Sequence, residues 1–241
     1  MTYVEGFVLA VPADKKDDYR KSASDAAPLF REFGATRQVE AWGDDVPDGK
    51  VTDFRRAVKA EEGETVVFSW FEYPDRETRD AANQKMMADP RMKEMGANMP
   101  FDGRRMIVAG CAPIVQEGDT GQMGYTDGFI VPVPDGQKEA YRAMAQKAAP
   151  IFQESGARRV IEAWGDDVPD GKVTDYKMAV MAEDGENVVF SWIEWPDKAT
   201  RDAGMEKIMQ DPRMPGAGDM PFDGKRMIFG GFTPVVELPK R

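Results

Sequence analysis

The 241-residue sequence predicts an α+β protein in which two copies of one unit close into a single barrel. The first observation behind this prediction is an internal repeat, because the stretch from Trp42 to Asp53 recurs letter for letter from Trp164 to Asp175, 122 positions later. The second observation is that each copy alternates β-rich segments with helical ones. Self-similarity of this length defines the structural unit before finer patterns are considered.

The repeat indicates two domains. We predict a first repeat at residues 1–117, a linker at 118–124 and a second repeat at 125–241, and each repeat is long enough to bury its own core. Met99 and Met220 are equivalent positions that lie 121 residues apart rather than 122, so the second repeat lacks one loop residue. The polar stretch around the linker reaches about 30 Å when extended, which is enough to lead the chain around the rim of a barrel.

The first part of each repeat predicts a strand, a helix and a second strand. Residues 3–11 alternate as a strand does, and residues 14–33 carry apolar side chains at every third or fourth position, as an amphipathic helix does. We predict that Asp14 caps this helix and that Gly34 ends it. A second strand follows at residues 36–42 and stops at a loop rich in Asp, Pro and Gly.

The second part of each repeat predicts a hairpin, a helix and a final strand. Residues 53–60 and 65–73 are expected to form antiparallel strands around a turn, and residues 75–88 a helix. A last strand is expected at 104–115. The order β, α, β, β, α, β places both helices on one face of an antiparallel sheet, which is a ferredoxin-like unit.

Such a unit leaves the other face of its sheet uncovered. The second copy is the natural cover, since two sheets that face each other bury both apolar surfaces. We therefore predict an intramolecular dimer of repeats, related by a pseudo-twofold axis and closed into one α/β barrel.

Composition excludes several classes of function. The net charge is −11 and neither repeat is basic, which argues against binding nucleic acid or an anionic membrane. No apolar run approaches the length of about 18 residues that a membrane span needs. The first residues lack the pattern of a secretory signal, so a cytoplasmic location is expected.

The absence of histidine removes much catalytic chemistry. Nucleophile pairs that use His, His-ligated metals and proximal-His haem all need a residue that the sequence lacks. The only cysteine, Cys111, corresponds to Phe232 in the second repeat and is expected to be a packing residue. We expect no metal and no cofactor.

Two sets of carboxylates are candidates for chemistry. The first lies in the repeated Gly-Asp-Asp-Val-Pro-Asp-Gly-Lys loop, where close carboxylates suit proton transfer, contact with a ligand or a hard cation, while Asp is also a common turn former. The second lies on strands, where a Glu and a Trp two residues apart share a face of the sheet. The loop candidates are Asp44, Asp45, Asp166 and Asp167, and the strand candidates are Glu40, Glu72, Glu162 and Glu194.

The tryptophans beside these glutamates are candidates for binding a ligand. They are Trp42, Trp70, Trp164 and Trp192. If these faces line the interior of the barrel, burial raises the pKa of the glutamates. They are then suited to act as general acid or base beside the tryptophan rings. In the alternative, the tryptophans pack the core and the glutamates lie at a rim or pair with Arg37 or Arg159. A cluster of methionines around residues 86–106 suits either an adaptable pocket or a gap-filled core.

Several motifs together resemble a known family. They are Tyr3-Val-Glu-Gly-Phe7, Gly43-Asp-Asp-Val-Pro-Asp-Gly-Lys50, Phe68-Ser-Trp70 and Met99-Pro-Phe-Asp-Gly103, each with a counterpart in the second repeat. With them the chain resembles the bacterial YbaA-like family, a domain of unknown function, twice over. The resemblance implies the dimeric α/β-barrel superfamily, in which single domains usually pair.

That superfamily includes cofactor-independent monooxygenases, isomerases, haem-handling enzymes and ligand-sensing domains, so the fold alone does not fix a function. We expect a protein that binds a small molecule, either as a metal-free and cofactor-independent enzyme of the monooxygenase or isomerase type or as a non-catalytic ligand-sensing or stress-associated scaffold. Association of the fused pair into a larger homo-oligomer is left open.

Overall fold

The computed structural model describes residues 2–121, 123–216 and 218–238, in two similar halves. The first half contains β1 (Tyr3–Pro12), α1 (Lys16–Phe33), β2 (Arg37–Asp45), α2 (Phe54–Ala57), β3 (Glu64–Tyr73), α3 (Arg76–Ala88), α4 (Pro90–Ala97) and β4 (Ile107–Gly118). The second contains β5 (Tyr125–Pro134), α5 (Lys138–Glu154), β6 (Arg159–Asp167), α6 (Tyr176–Ala179), β7 (Glu186–Trp195), α7 (Lys198–Gln210) and β8 (Ile228–Leu238). The boundaries 1–117, 118–124 and 125–241 stay a prediction, and residues 1, 122, 217 and 239–241 lie outside the described part.

The strands form one closed antiparallel barrel in the order β1-β3-β2-β8-β5-β7-β6-β4. The last strand of each repeat pairs with the second strand of the other, β8 with β2 and β4 with β6. The predicted closure of two repeats into one barrel is therefore confirmed. Each repeat covers two strand edges that the other would otherwise leave exposed.

Aromatic side chains from both repeats fill the centre of the barrel. The equivalent residues Phe68 and Phe190 stack with parallel rings whose centroids are 4.6 Å apart. Each ring lies against a glycine of the opposite repeat, and a Cβ atom on Gly6 would approach the Phe190 ring to 2.7 Å. Glycine at this position on β1 therefore makes room for the aromatic contact across the axis.

The long helices cover the outer face of the sheet, whereas the short helices α2 and α6 pack against the core inside the barrel. Helix α1 buries Tyr19, Ala26 and Phe33 of the predicted stripe, and it also buries Leu29. Gly34 ends the helix with φ of 120°, a conformation that residues with a Cβ rarely adopt. None of the helices in the described ranges is both long enough and apolar enough to cross a membrane.

Two local predictions are wrong. Residues 53–60 do not form a strand, because Asp53 accepts a hydrogen bond from the backbone N–H of Arg56 and starts the single helical turn α2. Strand β3 pairs instead with β2. Asp14 does not cap α1 either, since it lies in a 3₁₀ turn at Ala13–Lys15 that precedes the helix. The side-chain cap of Asp53 and the Arg and Ala residues that follow it both favour this helical turn.

Candidate functional site

The carboxylates predicted from sequence fall in three separate places. Glu72 and Glu194 lie inside the barrel, the loop aspartates lie where the two repeats meet, and Glu40 and Glu162 lie outside the sheet beneath the helices. Successive side chains of a strand alternate between the two faces of a sheet, and Glu72 and Glu40 occupy positions that face opposite sides of the barrel wall. This alternation explains why the strand glutamates lie in two different places.

Inside the barrel, two arginines neutralise the two glutamates. Arg159 donates to both carboxylate oxygens of Glu72 at 2.6 and 2.9 Å, and Arg37 donates in the same way to Glu194. All four side chains are at most 1% exposed. We call these four residues the interior tetrad. Its glutamates are committed to ion pairs, which is the alternative that the sequence left open.

Trp70 and Trp192 lie next to the interior tetrad and contact each other. Their ring centroids are 4.7 Å apart, and both side chains are fully buried. Trp192 Nε1 donates to Glu194 at 2.9 Å, and Trp70 Nε1 to Glu72 at 3.4 Å. The interior at this level is therefore packed by the protein's own side chains.

The loop aspartates bind groups of the opposite repeat. Asp44 accepts from the hydroxyl of Tyr125 at 2.9 Å, and its equivalent Asp166 accepts from Tyr3 at 3.0 Å. Asp167 pairs with Arg79 at 2.7 Å. Asp45 contacts Arg201 at 3.3 Å. These contacts fasten the two repeats together where β2 meets β8 and where β4 meets β6.

Glu40 and Glu162 each form a hydrogen-bonded pair with a tyrosine of the covering helix. Tyr19 donates to Glu40 at 2.6 Å, and Tyr141 donates to Glu162 at 2.7 Å. Burial raises the pKa of Glu40, and it raises the pKa of Glu162 to about 7. A raised pKa makes a carboxylate a stronger base and so better suited to accept a proton.

Trp42 and Trp164 lie on the same outer face as these glutamates. Lys16 lies 5.3 Å from the centroid of the Trp42 ring, and Lys138 lies 5.0 Å from that of Trp164. Both rings pack beneath the start of a helix. The contact with a ligand that sequence predicts for the four tryptophans stays a prediction.

An apolar cavity of about 390 Å³ separates the helices of the first repeat from its sheet, and Glu40 forms part of its wall. We call it the helix–sheet cavity. Strands β1, β2, β3 and β4 and helices α1, α3 and α4 contribute to its walls. Its apolar lining includes Phe7, Phe30, Phe71, Met86, Met92, Met95 and Met106. The methionine cluster thus contributes to an adaptable pocket wall, one of the two roles that sequence left open.

Sequence reasoning missed two polar groups of this cavity. Tyr19 lies within the apolar pattern that predicts α1, so its hydroxyl gives no separate signal, and Glu5 appears only as part of a family motif. Glu5 is 3% exposed and accepts from Asn83 at 2.8 Å, with Arg79 at 3.5 Å. The missed signal was the alternation of β1, which places Glu5 on the outer face of the barrel together with Phe7.

Cys111 lies inside the barrel and is fully buried. Burial raises the pKa of its thiol, so the reactive thiolate is disfavoured and a packing role fits. Among residues 2–121, 123–216 and 218–238, no three side chains of His, Cys, Asp or Glu are grouped as metal ligands would be.

Comparison with known proteins identifies the family. The family model described as "Protein of unknown function (DUF1428)" matches residues 2–103 and again residues 124–224. The chain belongs to this family. The two matches show that the family domain is duplicated here, and they confirm the resemblance that the motifs predict.

Curated relatives contain a single copy of the domain. The "Uncharacterized protein YbaA" of Escherichia coli strain K12 is 72% identical over 117 residues, which cover 48% of this chain and 100% of the relative. The protein of the same name from Shigella flexneri has the same identity and coverage. This chain therefore carries two domains where these relatives carry one.

Solved structures share the fold at low sequence identity. An "anthrone oxidase-like protein" matches with a TM-score of 0.60 and 13% identity, covering 98% of this chain and 92% of the other. The protein named "putative monooxygenase" from Lactobacillus acidophilus has a TM-score of 0.58 and 11% identity, covering 99% and 96%. At such identity the likeness establishes the barrel fold.

Proposed function

We propose that the protein binds a small, largely apolar molecule in the helix–sheet cavity and that Glu40 exchanges a proton with it. The observation that carries this proposal is the pairing of Tyr19 and Glu40 at 2.6 Å in the wall of a cavity of about 390 Å³. An apolar pocket with a few convergent polar groups is the usual form of a small-molecule site. Its volume suits a molecule of two or three fused rings.

The proposed chemistry is proton removal without a metal or organic cofactor. Glu40 takes a proton from a hydroxyl or an activated carbon of the ligand, and Tyr19 holds the carboxylate in place through its hydrogen bond. The resulting anion is either protonated at another carbon, which is isomerisation, or reacts with dioxygen as co-substrate, which is monooxygenation. In the second case a CH₂ carbon of the ligand becomes a carbonyl with one oxygen atom, and the other oxygen atom leaves as water with the two hydrogens that the carbon has lost. The names of the two solved structures compared above support the second outcome.

A non-catalytic ligand-binding or scaffold module is the second candidate. The packed interior supports it, because Phe68, Phe190, Trp70 and Trp192 fill the barrel and leave the interior tetrad fully paired. In this role the cavity binds its ligand without turnover, and Glu40 serves only as a hydrogen-bond acceptor.

We also propose that each repeat is a ferredoxin-like domain, with the boundaries predicted from sequence. The strand order β4-β1-β3-β2 within the first repeat, with its helices on one side, supports this assignment. The fused pair then takes the place of a homodimer of single domains such as those of the relatives.

Matched variants of the two repeats test the proposed proton transfer. Glu40→Gln removes the titrating group beside the cavity, and Glu162→Gln makes the same change in the second repeat. Both are incubated in D₂O under air with a panel of hydroxylated and carbonyl-bearing aromatic compounds, and mass spectrometry detects deuterium or oxygen incorporation. Glu40→Gln should abolish a signal that Glu162→Gln retains. Binding detected by a thermal shift with no incorporation in the wild type would favour the non-catalytic module, and neither signal with any compound would contradict the proposal.

A further inference from the structure

At three positions around the outer face of the sheet, a polar residue of the first repeat is replaced by an apolar residue in the second. The pairs are Ser22 and Met144, Gln38 and Val160, and Asn83 and Met205. Met144 and Met205 pack against the hydrophobic core of the second repeat. Ser22 and Asn83, whose side chains are shorter, instead line the helix–sheet cavity of the first repeat.

The helix–sheet cavity of the first repeat has a polar group at each of its two ends. Glu5 on β1 lines the helix–sheet cavity, as Glu40 on β2 does, and β3 runs between these two strands. Two strand spacings separate the backbones of the two glutamates by about 10 Å. Phe7 and Phe71 lie on the same outer face and line the cavity. The cavity thus has a carboxyl group at each end and an aromatic surface between them.

In the second repeat, the carboxylate that corresponds to Glu5 is already bound by an indole N–H and an arginine. Asp127 replaces Glu5, and it accepts from Trp195 Nε1 at 2.8 Å and pairs with Arg201 at 2.7 Å. In the first repeat Tyr73 stands in place of Trp195, and among the described residues its buried hydroxyl has no hydrogen-bond partner. Within the described ranges, Glu5 accepts one hydrogen bond, from Asn83, and contacts Arg79 at 3.5 Å, so its carboxylate has fewer close partners than that of Asp127.

Both carboxylates at the ends of the cavity can accept further hydrogen bonds. Glu40 accepts from Tyr19 and Gln38, and Glu5 accepts from Asn83, whereas an ionised carboxylate has about four lone-pair sites. Gln38 Nε2 donates to Glu40 at 2.9 Å. A ligand that brings its own donors complements such a surface.

We infer that only the first repeat binds the ligand and that this ligand is a flat aromatic molecule with a hydroxyl group at each end. This inference rests on the proposed function and deepens it by naming the class of ligand. One hydroxyl donates to Glu40 and the other to the polar end formed by Glu5 and Asn83, while the rings lie against Phe7 and Phe71. Each chain binds one molecule.

Isothermal titration with three naphthalenes tests the inference. 2,6-Dihydroxynaphthalene offers both donors, 2-naphthol offers one and 2,6-dimethoxynaphthalene offers none. The diol should bind with a stoichiometry of one, about tenfold more tightly than 2-naphthol and about a hundredfold more tightly than the dimethoxy compound, since each hydrogen bond to a charged group contributes about tenfold.

Variants that copy the second repeat locate the site. Ser22→Met should abolish binding of all three compounds, while Met144→Ser, the reverse change in the second repeat, should leave the affinity of the first site unchanged. Asn83→Met adds bulk at the Glu5 end of the cavity and should weaken binding of all three compounds. Glu5→Gln removes the charge at the same end without adding bulk, so it should lower the affinity for the diol to that for 2-naphthol and leave 2-naphthol unaffected.

The possible failures are distinguishable. Two equivalents of diol per chain, equal affinity for the diol and 2-naphthol, or no response to Asn83→Met and Glu5→Gln would overturn this inference and leave binding in the cavity intact. Failure of all three compounds to bind the folded wild-type protein would overturn the inference as well. If, in addition, no compound of the panel in D₂O gave incorporation of deuterium or oxygen or a thermal shift, the proposed function would be contradicted as well.

Discussion

Arg37 of the first repeat binds Glu194 of the second through two hydrogen bonds of 2.6 and 2.9 Å, whereas its contact with Glu72 of its own repeat is a single one of 3.3 Å. Arg159 and Glu72 reproduce the arrangement with the repeats exchanged. Each repeat therefore supplies the partner that the other needs. Bidentate pairing is strong and directional, so the interior tetrad favours one relative placement of the two sheets.

Removing one arginine of the interior tetrad should destabilise the whole protein. Arg37→Met leaves Glu194 buried without its bidentate partner, and breaking a buried ion pair in this way costs about 3 to 5 kcal/mol. Urea unfolding followed by tryptophan fluorescence measures the loss. Lys21→Met is the control, because it removes an exposed pair with Asp25 and should leave the midpoint unchanged. A loss below about 1 kcal/mol for Arg37→Met would contradict the role assigned to the tetrad.

The first repeat expressed alone should form a homodimer. A fragment of residues 1–121 exposes the edges of β2 and β4, and it carries both Arg37 and Glu72, so two copies can rebuild the crossed ion pairs. Analytical ultracentrifugation should give a dimer of fragments, and Arg37→Met in the fragment should shift it toward unfolded monomer. A folded, stable monomer would show that one repeat can shield its own sheet and would contradict the prediction.

The overall architecture was predictable because it depends on repeated, periodic signals. The exact repeat around Trp42 and Trp164 defined the unit, and the stripe of α1 defined its buried face. The segment after Asp53 was not predictable in the same way. The turn is four residues long, which is too short to show a helical period, and it depends on one carboxylate that accepts hydrogen bonds from Arg56 and Gly49.

The candidate site was only partly predictable for a different reason. Alternation along a strand groups Glu40 with Trp42 and Trp70 with Glu72, but it does not say which group faces the interior of a closed barrel. That choice depends on which face the helices cover, a property of the assembled molecule. The difference between Asn83 and Met205 was visible in the sequence, but its meaning depends on the cavity that Asn83 lines.

The helical turn α2 should depend on its capping aspartate. Asp53 is 3% exposed and accepts from two backbone N–H groups at 2.8 and 3.1 Å. Asp53→Ala should lower the free energy of unfolding by about 1 to 2 kcal/mol, and Asp175→Ala should do the same in the second repeat, since both remove an N-cap. Asp48→Ala, an exposed change in the same loop, should have little effect in urea unfolding. Equal effects of Asp48→Ala and Asp53→Ala would contradict the capping role.

Glu162 should make the stability of the protein fall as pH rises through neutrality. Its pKa in the folded protein is raised by burial to about 7 from an ordinary value of 4.5, so the folded state holds the proton more tightly than the unfolded state does. The stabilisation from this difference is complete below about pH 4.5 and is lost as pH rises through about 7. The total amounts to about 3 kcal/mol, from 1.4 kcal/mol for each unit of pKa difference.

The variant Glu162→Gln isolates this contribution. The amide keeps an acceptor for Tyr141 but does not ionise, so the stability of the variant relative to wild type should rise by about 3 kcal/mol between pH 4.5 and pH 8. Urea unfolding at half-unit steps of pH measures the difference, and Glu139→Gln, an exposed change on α5, should run parallel to wild type. Because Glu40 titrates in both proteins, its contribution cancels in the comparison. A curve for Glu162→Gln that also stays parallel to wild type would mean that Glu162 is ionised throughout this range.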